Sequence, residues 1–252
     1  MADHHHHHHH HHDYAKANAD HFSEKSQTYT TELSTELAKR CAASVLKNYP
    51  FDSNQTEVLD FACGPGLVSF QLLPHAKRIE GADLAPGMVD VFNKQVEQQG
   101  VSPDKLHCTK VDLLKEESSD LGDALFDVIV CTQSYHHFED TIQVTRALSK
   151  RLKPKGRLII IDFIHDECLE KFFGRHHDDK HPNTVAHKHG FTFDEIINMF
   201  KATDLQNPQV ASAFQMSKSE IKSYQGHEIF EKVLQDENDF TLKYFIAYAD
   251  KA

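Results

Sequence analysis

The sequence predicts an α/β protein: a doubly wound, seven-stranded, mostly parallel sheet with helices on both faces and an antiparallel hairpin at one edge. Three observations predict it. Short apolar runs alternate with helical stretches from Leu33 to Phe163, the pattern of parallel strands joined by right-handed crossovers. The run Phe126–Thr132 is apolar on both faces, as a central parallel strand must be. Two late strand-like runs, Gln209–Met216 and Phe240–Ala247, close the chain and read as the edge hairpin.

The elements follow in order. Residues 13–30 are polar with scattered rings and read as a mobile leading segment. Leu33, Leu37, Cys41 and Val45 recur every four residues, which marks an amphipathic helix, and Tyr49-Pro50 ends it. Val58–Cys63 is the first strand, Gly64-Pro65-Gly66 a turn and Leu67–Leu73 a short helix. Arg78–Asp83 is the second strand. Pro86 opens the next helix, Met88, Val89, Phe92 and Val96 give it one stripe, and Gly100 ends it. Leu106–Val111 and Phe126–Thr132 are the third and fourth strands. Ile142, Leu148 and Leu152 are placed on a helix stopped by Pro154, before a fifth strand at Gly156–Asp162. Residues 165–190 show little periodicity. Thr192 and Glu195 form a capping box for a further helix, and Ser219–Leu234 reads as an acidic one.

The chain has 252 residues, of which His4–His12 are nine consecutive histidines that read as a tag and are set aside. The division expected is residues 1–12 as tag, 13–50 as leading segment and helix, and 51–252 as the main domain, with a histidine-rich insertion on the substrate side at about 165–190. Net charge is −11, which disfavours a nucleic-acid substrate. No run approaches the roughly 18 apolar residues of a membrane span, and no signal-peptide pattern opens the chain. A cytoplasmic protein, monomeric or homodimeric and acting on a small molecule, is expected. The five cysteines form no CxxC pair, so an iron–sulfur or four-cysteine zinc site is not expected.

Four segments carry chemistry. VLDFACGPG (Val58–Gly66) puts two glycines between the first strand and helix, where backbone can approach a ligand. GADL (Gly81–Leu84) ends the second strand about twenty residues on, where a carboxylate can accept from two ribose hydroxyls. In KVDLL (Lys110–Leu114) an acid and leucines can clamp an adenine. FDVIVCTQSYHHFED (Phe126–Asp140) turns a buried strand's polar end into the crevice. A dinucleotide such as NAD and S-adenosylmethionine both suit the glycine turn and acid. An NAD-dependent oxidoreductase would predict GxGxxG, where the chain has CGPGLV.

With LKPKGRLIIIDF (Leu152–Phe163), and in this order, these segments resemble the class I S-adenosylmethionine-dependent methyltransferases, in the small-molecule branch that includes ubiquinone and menaquinone biosynthesis enzymes. The resemblance covers roughly residues 20–165 and departs at Ala62, where the family often has glycine. It implies a Rossmann-like methyltransferase sheet of order 3-2-1-4-5-7-6. It also implies that Ala62, Gly64 and Gly66 face the methionine portion of the cofactor, Asp83 the ribose, Leu84 and Met88 the adenine surroundings, and Asp112 and Leu113 the adenine. Cys131, Thr132 and Gln133 would line the methionine end, with Tyr29 a lid residue. The Asn/Asp-Pro-Pro-aromatic tetrad of many amino-group methyltransferases is missing from CTQSYHH, so an oxygen, sulfur or carbon acceptor is expected.

His136 and His137 are the nearest candidate bases. Gly174–Phe191 holds His176, His177, His181, His187 and His189 with two aspartates, ligand types that Zn²⁺ or Mn²⁺ accepts. A metal there could lower a substrate thiol's pKa. The expectation is therefore a thiol S-methyltransferase aided by a divalent metal. A small-molecule O-methyltransferase is the near alternative, and a non-catalytic metal- or cofactor-binding protein the more distant one.

Overall fold

The computed structural model describes residues 14–115, 121–174, 184–227, 234–235 and 238–252. The seven strands are β1 (Glu57–Phe61), β2 (Arg78–Asp83), β3 (Leu106–Lys110), β4 (Phe126–Thr132), β5 (Leu152–Phe163), β6 (Gln206–Ser217) and β7 (Thr241–Asp250). They form one sheet in the order β3-β2-β1-β4-β5-β7-β6. Pairs β3–β2, β2–β1, β1–β4 and β4–β5 are parallel. β7 runs antiparallel to both β5 and β6. The expected edge hairpin is present, with its second strand inserted inside its first. The reversal of order between β1 and β4 opens a crevice at the strands' carboxyl ends, where doubly wound sheets bind ligands.

The helices are α1 (Tyr14–Lys25), α2 (Glu32–Asn48), α3 (Leu67–Leu72), α4 (Pro86–Gln98), α5 (Thr141–Ser149), α6 (Glu167–Gly174), α7 (Phe193–Lys201) and α8 (Lys218–Lys222). Helix α2 forms where the spacing predicts. Thr31 and Ser34 cap its start reciprocally, and Leu33, Leu37, Cys41 and Val45 all enter the core. Burying each leucine stabilises by about 1.5–3 kcal/mol. The Thr192–Glu195 capping box opens α7 as expected. One core layer packs α2, α3 and α4 on one sheet face, and a second packs α5 and α7 on the other.

Four expectations are corrected. The leading segment is the helix α1, docked on the start of α4. Ser23 Oγ accepts from the Gly87 N–H at 3.1 Å, and a Cβ on Gly87 would lie 2.8 Å from the Ser23 carbonyl. Leu152 belongs to β5, where it pairs with Phe126. A register shift after it, with Lys155 at φ 64°, absorbs Pro154 without ending the strand. Part of the aperiodic segment is α6. Finally, the acidic helix expected over Ser219–Leu234 is broken after α8 ends at Lys222, and its residues 228–233 lie outside the described residues. Gly226, at φ 84°, turns the chain onto the start of α2, where the Gln225 carbonyl accepts from Leu33 N–H and Gln225 N–H donates to Glu32. The histidine run lies outside the described residues. Among these no helix is long and apolar enough to cross a membrane.

Candidate active site

The glycine turn after β1 is tied to the tip of β2. Gly64 donates its N–H to Asp83 Oδ2 at 2.8 Å, and Ala85 donates to Asp83 Oδ1 at 2.9 Å. Asp83 is thus held where its remaining lone pairs are free for a ligand's hydroxyls. Gly64 adopts φ 54°, and a Cβ built on it would meet only Met88 Sδ, at 4.0 Å. The space beside this turn is open to a ligand. Gly66 serves packing: its Cβ would lie 2.7 Å from the Phe92 ring. Ala62 and Gln133 lie at φ 56° and 54°, left-handed backbone that costs a non-glycine residue about 1–3 kcal/mol. Both sit just past strand tips, on β1 and β4, that flank the crevice.

Two further groups mark this crevice. Tyr29, between α1 and α2, is 37% exposed, yet its hydroxyl is pushed up to about 12 by surrounding protein and by Asp83. Below the turn, Asp60 Oδ2 accepts from Ser69 at 2.6 Å, while its buried Oδ1 has no partner among the described residues. Burial raises its pKa to about 7. An unpartnered buried carboxyl oxygen suits a cation placed above it. The Asp83 carboxylate and the open side of Gly64 are thus the groups here that can meet a hydroxylated ligand.

Leu84 is half-buried and Met88 buried beside Asp83. Asp112 and Leu113 follow β3, whose next residue, Val111, donates its N–H to the Asp83 carbonyl at 3.0 Å. Asp112 is paired to Lys115 at 3.4 Å, and Leu113 packs against the second core layer. Thr132 and Gln133 are half-buried at the tip of β4. Cys131 is fully buried, so only its backbone can reach the crevice.

The next turn holds a buried dyad. Asp162, at the end of β5, is completely buried and His136 nearly so. Asp162 Oδ1 accepts from His136 Nδ1 at 2.8 Å and from Phe163 N–H at 2.8 Å, and Oδ2 accepts from His136 N–H at 3.0 Å. A carboxylate only accepts, so Nδ1 carries the ring proton and Nε2 is left to take one. His137 differs. Its Nδ1 donates to the Thr184 carbonyl, and burial holds its pKa well below the usual histidine range. It braces the loop as a neutral ring.

Residues 184–191 are stitched over the dyad. Ala186 and His187 donate N–H to the His136 carbonyl at 3.0 and 2.9 Å, and His187 Nε2 donates to the Phe138 carbonyl at 2.8 Å. His189 stacks on His165 at 6.0 Å. These two histidines are thus engaged in holding the segment. His176, His177 and His181 lie outside the described residues. Among those described, no group of three His, Cys, Asp or Glu is arranged to hold a metal ion.

Sequence reasoning passed over Asp162, Asp60 and Tyr244. The signal for the first two was available. Asp162 is the one acid of β5 and Asp60 lies between apolar residues of β1, and a buried charge there needs a partner or a role.

Residues 59–160 match the family described as a methyltransferase domain. The chain is 38% identical over 156 residues to an uncharacterized methyltransferase of Schizosaccharomyces pombe, covering 61% of this chain and 54% of that one. It is 29% identical over 101 residues to a ubiquinone biosynthesis O-methyltransferase of Coxiella burnetii, covering 40% and 41%. The chain thus spans about half the length of the curated relatives it matches. Among solved structures, YcgJ of Bacillus subtilis shares the fold at TM-score 0.61 and 20% identity, over 84% of this chain and 97% of that one. A geranyl diphosphate C-methyltransferase of Streptomyces coelicolor, solved with S-adenosyl-L-homocysteine, shares it at TM-score 0.68 and 12% identity, over 95% and 98%.

Proposed function

We propose that this chain is a class I S-adenosylmethionine-dependent methyltransferase that methylates an acidic hydroxyl on a small molecule, with His136 as the base. The observation that carries the proposal is the buried His136–Asp162 pair beside the crevice. S-adenosylmethionine, when bound, supplies an electrophilic sulfonium methyl. Asp83 would hold its ribose, the open side of Gly64 would admit its methionine portion, and Asp60 would answer its positive charge. Leu84, Met88, Asp112 and Leu113 are the residues to flank the adenine. Tyr29 closes over Asp83. His136 Nε2 takes the acceptor proton, while Asp162 holds the ring in the right tautomer and stabilises the imidazolium that results.

The dyad favours oxygen over sulfur. A thiol ionises near 8.5 and needs only modest help, whereas a phenol near 10 gains much from a placed base. The relative named for O-methylation agrees with that preference. The case for a metal-aided thiol rests on the histidine-rich segment alone. Incubation with S-adenosylmethionine and a panel of phenols, thiols and carboxylates, after removal of the histidine run, tests the proposal by S-adenosylhomocysteine release. Turnover on hydroxyl acceptors, unchanged by EDTA, is expected. Turnover on thiols alone, or only with added Mn²⁺ or Zn²⁺, would overturn it.

A further inference from the structure

We infer, building on this methyl-transfer reading, that Tyr244 positions the acceptor: its hydroxyl hydrogen-bonds a second polar atom of a planar molecule held against a wall of aromatic rings. The wall runs from the first helix to the sheet edge. Phe22 of α1 meets His137 edge-on at 5.2 Å, and His137 lies 4.1 Å from His136. His136 contacts Phe163 at 5.3 Å and Phe173 at 5.2 Å. Phe163 lies 4.7 Å from Tyr244, which stacks on Phe214 at 4.5 Å. The candidate base is therefore set within a chain of aromatic contacts, a setting that suits a flat, conjugated acceptor better than an aliphatic one.

Tyr244 supplies what a purely apolar wall lacks. It is completely buried, and its hydroxyl has no hydrogen-bond partner among the described residues. Buried hydroxyls in native proteins are nearly always satisfied, and an orphan calls for an explanation. Phenylalanine would fill the same stack without a desolvated hydroxyl. The ring's place in the fold gives the explanation. Tyr244 pairs with Phe163 at the carboxyl end of β5, one register step from Asp162, which pairs with Phe245. Its hydroxyl is kept protonated by burial, then by Cys41, Asp162 and Tyr29 around it. Through Phe163, 4.7 Å from Tyr244 and 5.3 Å from His136, it lies one ring away from the candidate base, where an acceptor must sit. A neutral phenol can donate to, or accept from, a second oxygen of that acceptor.

The test pairs Tyr244→Phe with acceptors that differ by one hydroxyl. Phenol is compared with catechol, resorcinol and hydroquinone, whose second hydroxyl lies at increasing distance. For at least one dihydroxybenzene the variant should raise KM about 3- to 10-fold, the net worth of one hydrogen bond, with kcat within twofold. KM for phenol and Kd for S-adenosylhomocysteine should not move. The ligand-free variant should melt at the same temperature as the wild type or higher. An equal KM change for phenol, no change for any isomer, or a lowered melting temperature would each overturn the inference. If the wild type binds S-adenosylhomocysteine but methylates none of the four, the methyl-transfer reading to hydroxyls fails. Calorimetric binding of the dihydroxybenzenes to that complex then decides Tyr244 separately: weakening confined to the variant sustains the inference, and no binding to the wild type ends it.

Discussion

Replacing Asp162 with asparagine keeps the size of the side chain and removes the one property the dyad uses. Asp162 accepts three hydrogen bonds, from His136 N–H at 3.0 Å, His136 Nδ1 at 2.8 Å and Phe163 N–H at 2.8 Å. Asparagine has one acceptor oxygen and one NH₂. If the oxygen takes the Oδ1 place, the NH₂ faces the His136 N–H. If the amide flips, the NH₂ faces Phe163 N–H and turns Nδ1 into an acceptor. In that second orientation the ring proton moves to Nε2, which can no longer take one from the acceptor, and in either orientation the imidazolium loses its countercharge. A lost general base costs about 10²–10⁴-fold, so kcat should fall by about 10²–10³. The unsatisfied buried donor should cost about 1–3 kcal/mol of stability. His136→Ala should cost kcat about as much as Asp162→Asn, and the double variant no more than either, because the two act as a unit. Kd for S-adenosylhomocysteine should stay within twofold. Single-turnover methyl transfer, with calorimetry for the ligand, measures all of these. An Asp162→Asn enzyme within threefold of wild-type kcat, or single-variant losses that multiply in the double variant, would refute the reasoning.

Ala62→Gly should relieve the left-handed strain at φ 56°, stabilising the fold by about 1 kcal/mol against the added flexibility of the unfolded chain. Thermal melting reads this as a rise of a few degrees, and a fall would show that the Ala62 methyl packs usefully. Asp60 carries a pH signature. Its pKa is raised from 3.8 to about 7, so its contribution to stability is full below pH 3.8 and is lost as pH rises through about 7. Asp60→Asn should flatten that loss in urea melts taken at pH 5 and pH 8. A cation seated above Asp60 draws its proton off, so S-adenosylmethionine binding at pH 6 should release up to one proton and at pH 8 almost none. Titration in buffers of different ionisation enthalpy counts those protons, and equal counts at the two pH values would exclude Asp60 as the group.

Much of the sheet was legible because parallel strands buried on both faces are nearly continuous apolar runs, as in Phe126–Thr132. The glycine turn and Asp83 were legible because both sit at fixed places in a strand–turn–helix unit. What escaped was tertiary. Helix α1 has little apolar periodicity, and it is held by the glycine at position 87 and by ring contacts of Phe22 that no local pattern encodes. Pro154 reads as a helix stop until the register shift in β5 is seen. Helix α8 ends at Lys222 because residues 225–226 serve the start of α2, where Glu32 lies 193 positions before Gln225 in the chain. Asp162 stands at the end of a run read correctly as a strand. Its meaning came only from His136, 26 residues before it, which the β4–β5 pairing brings alongside. Tyr244 looks like an ordinary strand aromatic until its hydroxyl is found without a partner.

The central claim, a nucleoside sulfonium held across the tips of β1, β2 and β4 by Asp83, is tested most directly by isothermal titration of S-adenosylmethionine into the wild type and Asp83→Ala. The account predicts one site per chain in the wild type and affinity weakened at least tenfold in the variant, as expected for the loss of a charge-assisted hydrogen bond worth about 1.5–3 kcal/mol. Equal affinities, or binding of NADH in place of S-adenosylmethionine, would contradict it.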